Sequence, residues 1–275
     1  MSKKRQTILV FDSGVGGLTV LDPIRKARPD ANNIYVADNA VFPYGELSET
    51  ILLARVRDVF DAMIPRFTPD LVVIACHTAS TLVLPMLRAR FSIPFVGTVP
   101  AIKPAAEQSQ SKVVAILSTR GTAQRDYTTA LIRDFAQDCE VILHAPSGLA
   151  SKAEAVLQGD FVSDADILAD IAPCFVDHQS KRTDTIVLAC THYPLLLEAF
   201  ERIAPWPVTW IDPAPAIARR IVHLMGEASA EAAPTRPIHA VFTSRLAIQP
   251  AFSAALKSYG LEKIDFISVN SAATV

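Results

Sequence analysis

Leu71-Val72-Val73-Ile74-Ala75-Cys76-His77-Thr78-Ala79-Ser80 and its counterpart Ile186-Val187-Leu188-Ala189-Cys190-Thr191-His192-Tyr193-Pro194 decide how this chain folds. Each begins as a short apolar run, of the kind that fills a buried parallel strand. Each then passes, through a single cysteine, into polar residues and an apolar helical pattern. Thr78 or Ser80 can cap a helix over about 81–91, and Pro194 suits the first turn of a helix reaching Ile203. Val72-Val73-Ile74-Ala75-Cys76 aligns on Ile186-Val187-Leu188-Ala189-Cys190 as a weak internal repeat offset by 114 residues, about a domain length. Two α/β halves built alike carry their active loops at the carboxyl ends of parallel strands and share a cleft. The two cysteines are therefore expected to face each other across one small substrate.

Outward from these stretches, strand patterns alternate with helix patterns along all 275 residues. A strand over 7–11 leads into the glycine loop Asp12-Ser13-Gly14-Val15-Gly16-Gly17. A strand over 34–37 leads into Asp38-Asn39-Ala40-Val41-Phe42-Pro43-Tyr44-Gly45, where Pro-Tyr-Gly is a turn by residue type and offers a hydroxyl and an amide as donors. Further strands are expected over 93–96, 112–117, 140–144 and 208–211, with a last one over 238–242. Helices are expected over 49–65, 123–135, 151–158, 164–178, 215–225 and 250–259, and 226–237 reads as an exposed linker. The predicted architecture is two similar α/β domains with mostly parallel sheets. Residues 1–98 plus 210–275 form the first, with Cys76; residues 99–209 form the second, with Cys190.

Composition narrows the function. Half the residues are hydrophobic, enough for real cores. With 26 basic and 28 acidic residues there is no clustered positive charge for a nucleic acid. The basic start is followed by only Ile8-Leu9-Val10-Phe11 before Asp12, too short for a signal sequence or a membrane span. A cytoplasmic protein is expected, with no membrane partner. The four cysteines (76, 139, 174 and 190) form no CxxC pair and are expected to stay reduced. Only Cys76-His77 and Cys190-Thr191-His192 approach metal-ligand spacing, so no metal is expected. Glycines at 14, 16 and 17 do not make the dinucleotide fingerprint; the loop is either an anion-approaching turn or simply a tight one.

A thiolate is a good base and a thiol a usable acid, with a free pKa of about 8.5. One cysteine on each face of a stereocentre lets a proton leave one side and return on the other, which is racemisation by general acid–base catalysis. A helix N-terminus behind each cysteine would favour the thiolate. Most cysteines are inert packing; Cys139 and Cys174 are assigned to packing, whereas Cys76 and Cys190 occupy matching strand ends. Asp12 can hydrogen-bond near Cys76, and His192 lies two residues after Cys190.

These residues resemble a known family. Asp12-Ser13-Gly14-Val15-Gly16-Gly17-Leu18, Pro43-Tyr44-Gly45, Ala75-Cys76 with Thr78-Ala79-Ser80, Gly97-Thr98-Val99-Pro100-Ala101-Ile102-Lys103-Pro104 and Cys190-Thr191-His192-Tyr193-Pro194-Leu195-Leu196 are similar to motifs of the glutamate racemases. Phe242-Thr243-Ser244 is similar too, and the wider group is the aspartate/glutamate racemase superfamily. The resemblance implies two α/β domains with the site between them, cofactor-free interconversion of L- and D-glutamate, and supply of D-glutamate for peptidoglycan. It implies Cys76 and Cys190 as the acid/base thiols, with Asp12 assisting Cys76 and His192 assisting Cys190. Ser13, Pro43, Tyr44, Gly45, His77, Thr78, Thr119, Thr122 and Thr191 would hold the substrate. Neutral hydroxyls and amides bind a dianion without quenching a thiolate. Asp38 matches the acidic residue that opens the Pro-Tyr-Gly segment, and Glu154 is a further candidate acid. A homodimer is the implied assembly.

The chain departs from the family at His77, where the family has Asn: the imidazole is larger and can carry charge. Ala145-Pro146-Ser147-Gly148 replaces a Cys-Pro segment, and Asn39 stands where a small residue is usual. His77 leaves two alternatives to glutamate racemisation. One is the same thiols acting on aspartate or another small acidic amino acid; the other is an amino-acid-binding protein with weakened catalysis.

Overall fold

Ile8, Leu9, Val10 and Phe11 are fully buried, as are Leu71, Val72, Val73 and Ile74. Strands apolar on both faces belong in the middle of a sheet with helices on either side. The computed structural model, which describes residues 5–178, 181–228, 237–246 and 248–269, shows this arrangement. Strands β1 (Thr7–Asp12), β2 (Asn32–Ala37), β3 (Leu71–Ile74) and β4 (Phe95–Gly97) come first, then β5 (Val113–Ser118) and β6 (Glu140–His144). A short ribbon of β7 (Asp177–His178) and β8 (Lys181–Arg182) precedes β9 (Thr185–Ala189) and β10 (Thr209–Ile211). β11 (Ile238–Phe242) and β12 (Leu261–Phe266) close the chain. The first sheet has the order β12-β11-β2-β1-β3-β4 and the second β10-β9-β5-β6. Every neighbouring pair in both sheets is parallel.

Alternate strand residues feed opposite cores. Ile8 and Val10 pack with α1 (Leu18–Ala27), and Leu9 and Phe11 pack with α2 (Glu49–Phe67) and α3 (His77–Arg90). In the second half, Ile116 and Val187 meet α4 (Ile102–Gln108) on one face. Leu188 meets α7 (Leu149–Gln158), α8 (Asp164–Ile171) and α9 (Leu197–Ile203) on the other. Between α4 and α7 lie α5 (Arg120–Ala123) and α6 (Asp126–Phe135); α10 (Ala214–Met225) and α11 (Pro250–Ser258) return to the first core. Among the described residues no helix is long and apolar enough to cross a membrane.

Several expectations are corrected. The helix expected over 81–91 starts at His77, because Cys76 is its N-cap residue and the Cys76 carbonyl accepts the Ser80 amide at 2.8 Å. Thr78 and Ser80 are thus inside the first turn. The helix expected over 123–135 splits into α5 and α6, with Thr119 capping α5 through the Thr122 amide. The helix expected over 164–178 stops at Ile171, where Pro173 brings a 3₁₀ turn (Ala172–Cys174) before β7. β12 was not expected; Glu262, Lys263 and Asp265 break its apolar pattern, and it takes its place as an edge strand by pairing with β11. The second sheet runs to Ile211, where β10 pairs with β9. Within the expected linker, residues 229–236 lie outside the described residues.

Candidate active site

β3 and β9 are interior strands, each one in from an edge of its sheet, and each delivers its cysteine just beyond its carboxyl end. Cys76 and Cys190 are each 5% exposed and line one narrow cavity. Only Cys76 stands at an α-helix N-terminus. Cys190 is followed by a 3₁₀ turn (Tyr193–Leu196), so the dipole expected behind both thiols supports one of them. The first half supplies Ser13, the Phe42-Pro43-Tyr44-Gly45 segment and Cys76-His77-Thr78 to the cavity wall. The second half supplies Thr119, Ala150 and Cys190-Thr191-His192. No lysine or arginine is among these residues.

The two thiols have unequal surroundings. Cys76 Sγ lies 3.7 Å from Ser13 Oγ; burial, and then the charge of Asp12, push its thiol up to about 12. Cys190 Sγ lies 3.8 Å from His192 Nδ1, while His192 Nε2 lies 3.0 Å from Glu154 Oε1. Burial works against a charged His192, but Cys190 and Glu154, with Asp12 behind them, outweigh it and hold the imidazole well above its ordinary value. The Gly16 amide also points at Nε2, at 3.2 Å, a contact that suits only the neutral ring. The carboxylate contact prevails, because a charge-assisted bond is roughly twice as strong as a neutral one.

Asp12 links the halves. Its Oδ1 accepts the Gly14 amide at 3.0 Å and its Oδ2 accepts the Thr191 hydroxyl at 2.9 Å. Burial raises its pKa, with His192 and these two donors pulling the other way. Its influence on Cys76 is that of a nearby charge. Glu154 Oε1 also accepts the Val15 amide at 2.9 Å. The glycine loop is thus neither of the two expected things alone: the anion at its amides is a carboxylate of the protein. A Cβ on Gly14 would fall 2.1 Å from Glu154 Oε1, and one on Gly16 would fall 2.4 Å from His192 Nδ1. The glycines are there because the second half docks on them.

Other expected site residues divide into wall and support. Thr78 and Thr119 reach the cavity with their hydroxyls 2.8 Å apart. Thr122 stands behind them, its Oγ1 3.0 Å from Thr119 Oγ1 and 3.4 Å from Thr78 Oγ1. Tyr44 lines the cavity, but its hydroxyl, expected as a donor to substrate, is committed to Asp38 at 2.5 Å. Asp38 is fully buried and also accepts both Arg55 (2.8 and 2.6 Å) and Thr243 (2.6 Å). It anchors the Pro-Tyr-Gly loop. Phe42 and Ala150 were not singled out from the sequence; the only signal for Phe42 was its place directly before Pro43. Cys174 is buried in the second core and Cys139 packs at the edge of another, away from the cavity.

His77 is 2% exposed, lines the cavity, and neither ring nitrogen has a hydrogen-bond partner among the described residues. Burial alone holds its pKa down at about 3. The charge anticipated from its residue type is therefore absent near neutrality. The unfolded ring titrates near 6.5, so between 6.5 and 3 the unfolded chain binds the extra proton and stability falls as pH drops. Between pH 7 and pH 5 the His77→Asn variant is expected to lose about 2 kcal/mol less stability than the parent. Denaturant midpoints at the two pH values measure this, and equal acid losses would show that burial does not depress His77.

Residues 21–221 match the family described as Asp/Glu/Hydantoin racemase. The glutamate racemase of Brucella canis is 53% identical over 219 residues, 79% of each chain. That of Mesorhizobium japonicum is 51% identical over 240 residues, 87% of this chain and 92% of its own. A crystal structure of Escherichia coli glutamate racemase, in complex with L-glutamate and the activator UDP-MurNAc-ala, superposes with a TM-score of 0.87. It is 40% identical and covers 97% of this chain and 99% of that one.

Proposed function

This chain belongs to the Asp/Glu/hydantoin racemase family, and from that membership we propose that it interconverts L- and D-glutamate by passing a proton between Cys76 and Cys190. The observation that carries the proposal is a pair of buried thiols, one from each half, on the wall of a single cavity rich in hydroxyls.

Cys76, with its thiol pushed up to about 12, rests protonated and is the acid. Cys190 is the base, with the charged His192 ring beside its sulfur. Its thiolate takes the α-proton of the enantiomer whose Cα–H faces it. The Cα–H bond breaks and its electron pair spreads into the adjoining carboxylate. Cys76 S–H then delivers a proton to the opposite face, and a new Cα–H bond forms. The stereocentre is inverted, with Cys190 now the thiol and Cys76 the thiolate. The return reaction uses the same groups in the opposite order. Both proton carriers come from the chain, so the scheme calls on no cofactor.

Ser13, Thr78, Thr119 and Thr191, with the amides of the Tyr44-Gly45 turn, hold the two carboxylates and the ammonium group. Neutral His77 offers one donor and one acceptor, as an amide would, so the alternative of a catalytically weakened binding protein loses its motive. A cytoplasmic location, where free thiols persist, and supply of D-glutamate to peptidoglycan complete the proposal, with a homodimer as its assembly.

Incubation with L-glutamate in D2O tests it. Deuterium is expected at Cα of the D-product, and with it slower wash-in to the L-pool. No incorporation from either glutamate enantiomer would overturn the proposal. Faster incorporation into aspartate would keep the thiols and move the substrate.

A further inference from the structure

The aromatic ring of Phe42 has no part in the scheme above, yet it lies against one of its proton-bearing groups. Its centroid is 5.2 Å from that of the His192 ring, with the planes at 45°. The two residues come from opposite halves: Phe42 from the loop after β2, His192 from the turn after β9. A Cβ built on Gly14 would meet Glu154 Oε1, Phe42 Cδ2 (3.0 Å) and His192 Nε2 (3.2 Å) together, so all three groups converge on one point.

We infer that Phe42 is a positioning residue of the proton-transfer machinery, its ring holding the His192 imidazolium between Cys190 and Glu154. The inference rests on the proposal that Cys190 is a proton carrier. The polar partners of His192 lie at its nitrogens, Cys190 at Nδ1 and Glu154 at Nε2. Those contacts fix where the ring edge points, and Phe42 packs alongside the ring. A cation within about 6 Å of an aromatic centroid is attracted by the ring quadrupole.

This attraction adds to an existing set of opposed influences. Glu154 from α7 and Asp12 from β1 favour the charged ring, as does Cys190. Burial and the Gly16 amide favour the neutral one. Of the side chains around the imidazole named above, Phe42 is the one that brings no titratable group. Leucine at 42 would cover it nearly as well and supply no quadrupole, so that exchange separates the two effects.

The test is the pH titration of His192, followed by side-chain nitrogen resonances of the full chain and assigned with His192→Asn. In Phe42→Leu the His192 midpoint is expected to fall by about one pH unit. Phe42→Trp is expected to restore it. In parallel, the alkaline limb of kcat/KM should move down by a similar amount in the direction that starts with Cys190 as base. An unchanged midpoint in the leucine variant overturns the inference, and so does an equal fall in the leucine and tryptophan variants, which would mean packing alone. Should Phe42→Leu fail to fold, Phe42→Met against Phe42→Tyr gives the same comparison. The resonance readout needs no turnover. A chain that does not racemise glutamate but shows the shift refutes the proposed function and leaves standing only the hold of Phe42 on a charged His192 ring.

Discussion

Cys76→Ala and Cys190→Ala are each expected to lower racemisation by about 10²–10⁴-fold, the range associated with losing a positioned acid or base. Polarimetry of the glutamate pool measures the loss, with circular dichroism confirming the fold. In the proposed scheme each thiol is an obligatory carrier: without Cys190 one enantiomer loses its base, and without Cys76 the carbanion on that path loses its acid. The two variants differ in what remains. Cys76→Ala keeps the Cys190–His192–Glu154 array and so keeps a base for one enantiomer. Cys190→Ala leaves a thiol that burial and Asp12 hold protonated. Wash-in of solvent deuterium from one enantiomer should therefore survive better in Cys76→Ala. Either variant racemising within tenfold of the parent would remove the two-thiol mechanism.

Asp38→Ala is expected to cost about 3–5 kcal/mol of stability, the usual effect of removing one partner from a buried ion pair. The Arg55 side chain is 5% exposed, and both of its contacts with Asp38 would vanish, leaving the Val269 carbonyl at 2.7 Å as its acceptor. The same carboxylate holds Tyr44 and Thr243, so the loop that walls the cavity would lose its anchor. KM for glutamate should rise with the loss of order. Asp38→Asn keeps one acceptor oxygen, enough for either Tyr44 or Thr243, and should cost less. Urea midpoints decide it: a loss below about 1 kcal/mol in Asp38→Ala would show that the Arg55 charge finds another partner.

The strands that carry the cysteines were legible because four consecutive apolar residues leave few choices, and the cysteines because their residue type and context repeat. What was not legible depends on distance along the chain. The reason for Gly16 is His192, 176 positions away, and the amide of Val15 finds Glu154 at a separation of 139. A local window therefore sees only a tight turn. The acceptor of the Tyr44 hydroxyl, Asp38, lies only six residues away, but Arg55 and Thr243, which hold that carboxylate in place, belong to two distant stretches. His77 looked like a charge because residue type says nothing of depth; burial makes it neutral. β12 and the β7–β8 ribbon are short or half-charged and take shape only against a partner strand.

The glycine loop also fixes the tolerance of the joint between the halves. At Gly14 and Gly16 the gap is narrower than a methyl group, since a Cβ would fall 2.1 and 2.4 Å from atoms of the facing half. An alanine at either place would act as a wedge. It would prop the joint open and let water in beside the two thiols. The closure of this joint thus depends on two hydrogen atoms where other residues carry carbon.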